Sequence, residues 1–305
     1  MIRAAIAIGS NSTRMLAASL NGPEPLPLLR LREDTKLFMG LKDGFVLSDT
    51  VMDRTAQAVL RLKKAALAVG CGADGIDLYA TSATRDASNR DQFTRRLKEA
   101  AGLLLYVMSG EEEAALAFAA VADGTDTLVM DIGGGSTEII LGKEGAEGSV
   151  SLQAGASRML RSCPIASRAD IPPLVQRLRA MVREEAGALL RDAGRRRTVL
   201  LGGTGTAARD MLAVRFPEDP AVTTRRVLDL AADLADMTPE NRRRVPGLPE
   251  AKAEHIVHGL CILSALLLES GAERTEISRL TNLDGWMRRL NANINNGTRK
   301  GGSET

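Results

Sequence analysis

One short pattern occurs twice in this chain and limits the folds open to it more than any other feature. Residues 5–16 read AIAIGSNSTRML and residues 129–140 read VMDIGGGSTEII. Aligned, Ile8 falls on Ile132, Gly9 on Gly133, Ser12 on Ser136 and Thr13 on Thr137. Each copy is an apolar strand, a turn of small and hydroxyl residues, and a second apolar strand. Two such hairpins on two lobes are expected to face each other across a cleft, offering backbone N–H groups and hydroxyls to a phosphate chain. The glycines of the second copy permit positive φ angles and a close backbone approach. In the alignment Asp131 stands opposite Ala7 and Glu138 opposite Arg14. The second copy therefore carries two carboxylates suited to a hard cation such as Mg²⁺, and the first a guanidinium suited to phosphate oxygens.

Around these hairpins, β-like runs (AAIAIG, GIDLYATSA, LLLYVMS, TLVMDIG, EIILG, TVLLGG) alternate with amphipathic segments near 48–69, 89–101, 110–122, 170–193 and 250–270. That alternation predicts an α/β fold. The polar stretch ADGTDT at 122–127 predicts a boundary, giving a first lobe over 1–122, a second over 123–290 and a frayed tail over 291–305. No run of eighteen apolar residues occurs in the 305, so no membrane span is expected. The start MIRAAIAIGS lacks the cleavage region of a signal peptide, which makes the cytoplasm the default location. Cys71, Cys163 and Cys261 have neither zinc nor CxxC spacing and read as reduced, buried filler. The net charge of +2 and 3% aromatic content argue against a dedicated nucleic-acid binder. The basic clusters RDAGRRR at 191–197 and RRR at 242–244 read as solvated helix ends and loops, with an electrostatic path for a polyanionic ligand as the alternative.

Three further stretches bear on chemistry. In MSGEEEAALAFAAV, residues 108–121, Ser109 and Glu112 form a capping box, which with the helix dipole accounts for Glu111 and Glu112. Glu113 shares a face with Leu116, Ala117 and Ala120, where partial burial would raise its pKa toward that of a usable base. Spacing alone suits a structural carboxylate equally well. In YATSATRDASNRDQF, residues 79–93, Arg85 follows a strand and precedes a helix, a place for either a surface arginine or a phosphate clamp. GGTGTAARDM, residues 202–211, matches GxGxxA but lacks the acidic residue that should end a second strand about twenty positions on. A strand–turn–helix whose first amides face an anion remains. His255 and His258, spaced HxxH, have no third ligand nearby and read as a structural pair.

These residues resemble the exopolyphosphatase and guanosine pentaphosphate phosphatase (Ppx/GppA) family in its short two-domain form, within the actin, sugar-kinase and Hsp70-like superfamily. IGSNSTR, ATSATRDA, SGEEEA, DIGGGSTE, GGTGT and GLPEAKAEHIVHGLCIL occur in the family's order and span nearly the whole chain. The resemblance implies two actin-like (ribonuclease H-like) lobes with a cleft between them. It implies Mg²⁺-dependent hydrolysis, with Mn²⁺ as a substitute, releasing terminal orthophosphate from inorganic polyphosphate, with a lean toward short chains, or from guanosine pentaphosphate. Carried over by position, Glu113 is the general base, Asp131 and Glu138 organise the metal, and Ser10, Asn11, Ser12, Arg14, Arg85, Gly133, Gly134, Gly135 and Ser136 hold the phosphates. The resemblance also implies a homodimer, with no nucleic-acid or membrane partner.

Two departures stand out: Ala7 occupies a position where the family usually has an acid, and Leu283 and Asp284 stand where it commonly has arginine and glutamate. Ala7 supports an alternative of another class, a protein that binds polyphosphate or guanosine tetra- or pentaphosphate without turnover. A phosphotransferase using ATP is a third class, and nothing in the chain resembles its second-substrate pocket.

Overall fold

An apolar run without alternation, such as IRAAIAI at 2–8, makes a strand covered on both faces. The computed structural model describes residues 1–191, 193, 196–272 and 274–300, with side chains to residue 295. In it β1 (Ile2–Ile8), β2 (Thr13–Ser19) and β3 (Leu26–Glu33) form an antiparallel meander. After α1 (Asp49–Ala68), β4 (Ile76–Ala80) joins parallel to β1; after α2 (Ser82–Asp86) and α3 (Arg90–Ala101), β5 (Leu105–Val107) joins parallel to β4, and α4 (Gly110–Ala119) follows. The plan then repeats. A meander of β6 (Thr127–Ile132), β7 (Thr137–Gly142) and β8 (Ala146–Leu152) is followed by α5 (Ala156–Ser162) and α6 (Ile171–Leu190). β9 (Arg197–Leu201) joins parallel to β6; α7 (Gly202–Arg215), α8 (Thr224–Ala235), α9 (Pro239–Arg242) and α10 (Ile256–Ser270) precede β10 (Glu276–Ile277), parallel to β9. The last element is α11 (Asn282–Lys300).

The two five-stranded sheets have orders β3-β2-β1-β4-β5 and β8-β7-β6-β9-β10, the same connectivity twice, which is the actin-like (ribonuclease H-like) α/β plan expected. In each sheet the first strand is central and its carboxyl end runs into the small-residue turn. The carboxyl ends of the parallel strands, where α/β proteins gather their ligand groups, thus hold every candidate segment: turns 9–12 and 133–136, α2 after β4, α4 after β5, and α7 after β9.

The first unit comprises Met1–Ala120 and the residues from Thr281 onward. One face of its sheet, with Ala4, Ile6, Ile8, Met15 and Ala17, packs on Val51, Met52, Val59 and Leu62 of α1 and on Phe93 and Leu97 of α3. The other face, with Ala5, Ala7, Leu16, Ala18 and Tyr79, packs on Leu116 of α4 and on Leu283 and Met287 of α11. Residues 281–290, expected in the second lobe, therefore belong with the first. The frayed tail expected from 291 is instead a continuation of α11 to Lys300, while 301–305 lie outside the described residues. Its polar letters hid apolar anchors upstream: Trp286 stacks on Tyr79 at 5.0 Å and donates to Asp77 Oδ2 at 3.0 Å.

The second unit, Val121–Leu280, begins just ahead of the polar stretch read as the boundary. Its core gathers around α10, whose residues are buried on every side and pack with α6, α8 and the β6 face of Leu128, Met130 and Ile132. Cys71 and Cys261 are buried and Cys163 half-buried, with no disulfide among them. Burial pushes the Cys261 thiol up to about 12. Of the RDAGRRR cluster, residues 192, 194 and 195 lie outside the described residues, while Arg197 pairs with Asp123 and Glu276. Arg242, expected in solvent, is buried and donates to Leu234 O at the end of α8, because the last carbonyls of a helix need donors. The exposed, non-alternating β3 and the glycine-bearing β8 carry no strand signal and went unread. Among the described residues no helix is long and apolar enough to cross a membrane.

α11 crosses α4 closely: a Cβ at Gly285 would lie 1.9 Å from Leu116 O. Backbone cannot yield as a flexible side chain does. Gly285→Ala should therefore destabilise the protein by about 3 kcal/mol, read as a lowered midpoint in denaturant unfolding.

Candidate active site

The repetition seen in the letters is a repetition of backbone. Gly9 N donates to Ser12 O at 3.0 Å, and Gly133 N to Ser136 O at 3.0 Å. Ile8 pairs with Thr13 and Ala7 with Arg14, as Ile132 pairs with Thr137 and Asp131 with Glu138. A following segment ties off the carbonyls of each turn. In the first, Phe38 N donates to Ser10 O and Lys36 N to Asn11 O, both at 2.8 Å. In the second, Ala156 N donates to Gly133 O at 3.0 Å and Ser157 N to Gly134 O at 2.8 Å. A trans peptide is planar, so its C=O and the next residue's N–H point opposite ways. Holding these carbonyls aims the N–H groups of Asn11, Ser12, Gly134 and Gly135 away from the holding segment. Such runs of amides make an anion nest.

In the first unit Ser10 and Ser12 are buried and Asn11 is half-buried, with Arg14 Nε donating to Ser12 Oγ at 3.1 Å. Glu113 is 8% exposed at the start of α4, one residue beyond a capping box that forms as expected between Ser109 and Glu112. Arg85 Nη1 reaches Glu113 Oε2 and Met108 O, each at 2.9 Å. The surface alternative for Arg85 is thereby excluded. Its Nη2 is buried without a protein partner, as is the neighbouring Thr84 Oγ1. Buried donors are seldom left unmade, so this corner is built to hold something polar.

In the second unit Asp131 and Glu138 are cross-strand partners, so their side chains share one face. Glu138 is 1% exposed and accepts from Ser151 Oγ at 2.8 Å. Asp131 Oδ1 lies against the start of α7, 2.8 Å from where a Cβ on Gly202 would stand. With φ of +84° as well, position 202 admits only glycine. The Asp131 carboxylate thus stands beside the start of α7, where an anion suits a helix N-terminus. Two hard oxygen donors suit Mg²⁺, which takes one or two carboxylates and completes its shell with water and phosphate oxygens. The residues present therefore fit that ion.

Sequence reasoning missed three residues here. Lys252 folds over the start of α7, its Nζ 1.9 Å from where a Cβ on Gly203 would stand. Gly155 and Arg158 belong to the segment that holds the second turn. Nothing in the local pattern marks them apart from the small-residue run AGAS directly after a strand. Leu283 and Asp284 serve the fold: Leu283 is buried in the cluster that contains Ala7, and Asp284 binds Arg30 and Thr281.

Two α/β units of one connectivity, each with a small-residue turn at the end of its central strand, define an actin-like fold. The chain belongs to the Ppx/GppA phosphatase family, whose sequence pattern matches residues 17–282, a span that holds Arg85, Glu113 and the second turn. It is 26% identical over 295 residues to Exopolyphosphatase 1 of Mycobacterium leprae, covering 88% of this chain and 84% of that one. It is 27% identical over 310 residues to a bifunctional 3-dehydroquinate synthase/phosphatase of Fusobacterium nucleatum, covering 93% of this chain and 46% of that protein, so it spans less than half of that relative. An exopolyphosphatase from Cytophaga hutchinsonii has the same fold at TM-score 0.86 and 19% identity, over 96% of this chain and 98% of that one. An Aquifex aeolicus member of the Ppx/GppA family aligns at TM-score 0.76 and 23% identity, over 97% and 99%.

Both histidines of the HxxH pair are buried. His258 is buried, its Nε2 paired with Cys163 O at 2.8 Å and its Nδ1 buried without a partner. Among the described residues no group of three or more His, Cys, Asp or Glu is placed to hold a metal. Burial, the largest cause, depresses the His258 pKa, with Arg242 adding to it. The folded state therefore favours the neutral ring. Below the ordinary imidazole value of about 6.5, the unfolded chain binds the proton more readily, and stability falls as pH falls toward the depressed value. Between pH 7 and 5 the melting temperature should drop, and His258→Gln should flatten that slope whatever it does to the midpoint at pH 7.

Proposed function

We propose that this protein is an exopolyphosphatase: a Mg²⁺-dependent phosphohydrolase that releases terminal orthophosphate from inorganic polyphosphate, with short chains preferred, and from guanosine pentaphosphate. In the same reading it works in the cytoplasm as a homodimer. The single observation that carries the proposal is the pairing of a buried Glu113 with Arg85 beside it, 2.9 Å away and holding a second, unpartnered nitrogen. A carboxylate kept in place by one arm of a guanidinium, whose other arm remains for an oxyanion, is the arrangement hydrolysis of a phosphoanhydride needs.

Each residue then has a task. The N–H groups of Asn11, Ser12, Gly134 and Gly135, with Arg14 and Lys252, bind phosphate oxygens. Arg85 orients the terminal phosphoryl group and keeps Glu113 in register. Glu113 takes a proton from water as the water oxygen bonds to phosphorus and the bridging P–O bond breaks, so the shortened chain leaves with the bridging oxygen. Phosphoryl transfer asks chiefly for positioning and charge neutralisation, and a general base adds roughly 10²- to 10⁴-fold. Asp131, with Glu138 beside it, would hold Mg²⁺, which when bound neutralises charge on the phosphate oxygens.

Glu113→Gln keeps the shape and the capping box but cannot accept the proton. Orthophosphate release from tripolyphosphate, long polyphosphate and guanosine pentaphosphate should fall by roughly 10²- to 10⁴-fold, with binding retained. Release at the wild-type rate would remove Glu113 from the reaction.

A second reading, binding without turnover, is supported by Ala7. It occupies in the first unit the place of Asp131 in the second, and the hairpin there brings no carboxylate. On this reading the wild-type protein binds tripolyphosphate with Mg²⁺ and releases nothing, and Ala7→Asp creates measurable turnover. Release by the wild-type protein would sink it.

A further inference from the structure

The second turn is less self-supporting than the first. Its residues 133–135 are all glycine, where the first turn has Ser10 and Asn11 after Gly9. Glycine peptides flip between opposite orientations at little steric cost. A flip would turn an N–H away from a bound phosphate and present a carbonyl in its place. The two turns are restrained differently. In the first, the following segment holds Ser10 O and Asn11 O by backbone amides. In the second, three carbonyls are held: Gly133 O by Ala156 N, Gly134 O by Ser157 N and by Arg158 N at 3.0 Å, and Gly135 O by a side chain, Arg158 Nε at 2.6 Å. Gly155 lets the holding segment come this close, since a Cβ there would lie 2.4 Å from Gly134 C and Gly135 N. A larger residue would push the strap off the turn.

We propose that Arg158 is a positioning residue for the phosphate site, an inference that rests on the phosphate-binding reading of the second turn. The Gly135 carbonyl and the Ser136 N–H belong to one planar peptide, so the Arg158 bond on the first aims the second toward the phosphates. Arg158 thereby completes a row of three donors from Gly134, Gly135 and Ser136. The donor is Nε–H, at a fixed angle in the guanidinium plane. Lysine brings the same charge but only a terminal ammonium, so it does not replace this bond.

The test uses the full chain. Tripolyphosphate hydrolysis is measured with Mg²⁺ for wild type, Arg158→Ala and Arg158→Lys, and tripolyphosphate binding by calorimetry for the same changes in a Glu113→Gln background. Both variants should lose roughly 10- to 100-fold in kcat/KM and bind more weakly, with melting temperatures near wild type. Lysine restoring full activity would reduce Arg158 to a charge, and alanine matching wild type would remove it altogether; either overturns the proposal. A measurement without a change at 158 covers the case of a variant that fails to fold. The Ser136 amide proton of the Glu113→Gln protein should move downfield on tripolyphosphate addition, and an unmoved resonance overturns the proposal. Wild-type binding with the Arg158 effect but no phosphate release would overturn the hydrolase reading alone. Absence of binding in the wild-type protein would overturn both.

Discussion

The planar peptide is the constraint on which the site depends. A backbone carbonyl cannot be drawn one way without turning the following N–H the other, so a segment that binds the outer side of a turn prepares its inner side for an anion. Both units use this lever. Lys36 and Phe38 work it in the first, and residues 156–158 in the second. The strand order makes it effective, because the turn sits at the end of a central strand held by neighbours on both sides.

Within that shared frame the two halves have diverged in charge. The first unit pairs Ala7 with Arg14 in its hairpin and, at the ends of neighbouring strands, sets Arg85 against Glu113. The second pairs Asp131 with Glu138 and sets Lys252 at the start of α7. One hairpin suits phosphate oxygens directly, and the other suits them through a cation. A duplicated backbone with unlike side chains gives each unit its own way of treating an anion. That is economical for a reaction whose demands are orientation and neutralisation.

What the sequence made legible was what local chemistry encodes. The paired hairpins, the Ser109 capping box and the helices over 49–68, 90–101 and 171–190 follow from patterns a few residues long. β3 stayed hidden because an exposed edge strand has no buried face to impose alternation. Arg242 was misjudged because its partners, the carbonyls at the end of α8, come from folding rather than from neighbours in sequence. Lys252 and Arg158 were missed for the same reason: each acts on a glycine far away along the chain, and only the close approach reveals it. The polar run after Asn291 concealed a helix whose anchors, Leu283, Trp286 and Met287, lie a turn or two earlier.

The return of α11 makes the second unit an insertion within the first. On a ribosome, Val121–Leu280 emerges whole, with every strand and helix of its own core in hand. The first unit, although begun earlier, still lacks the helix that covers Ala5, Leu16, Ala18 and Tyr79. Its sheet waits with that apolar face covered only by α4 through the synthesis of the entire second unit, the kind of surface that invites misassociation and chaperone attention. The order in which these two units are made is thus the reverse of the order in which they can finish, since the first waits for α11.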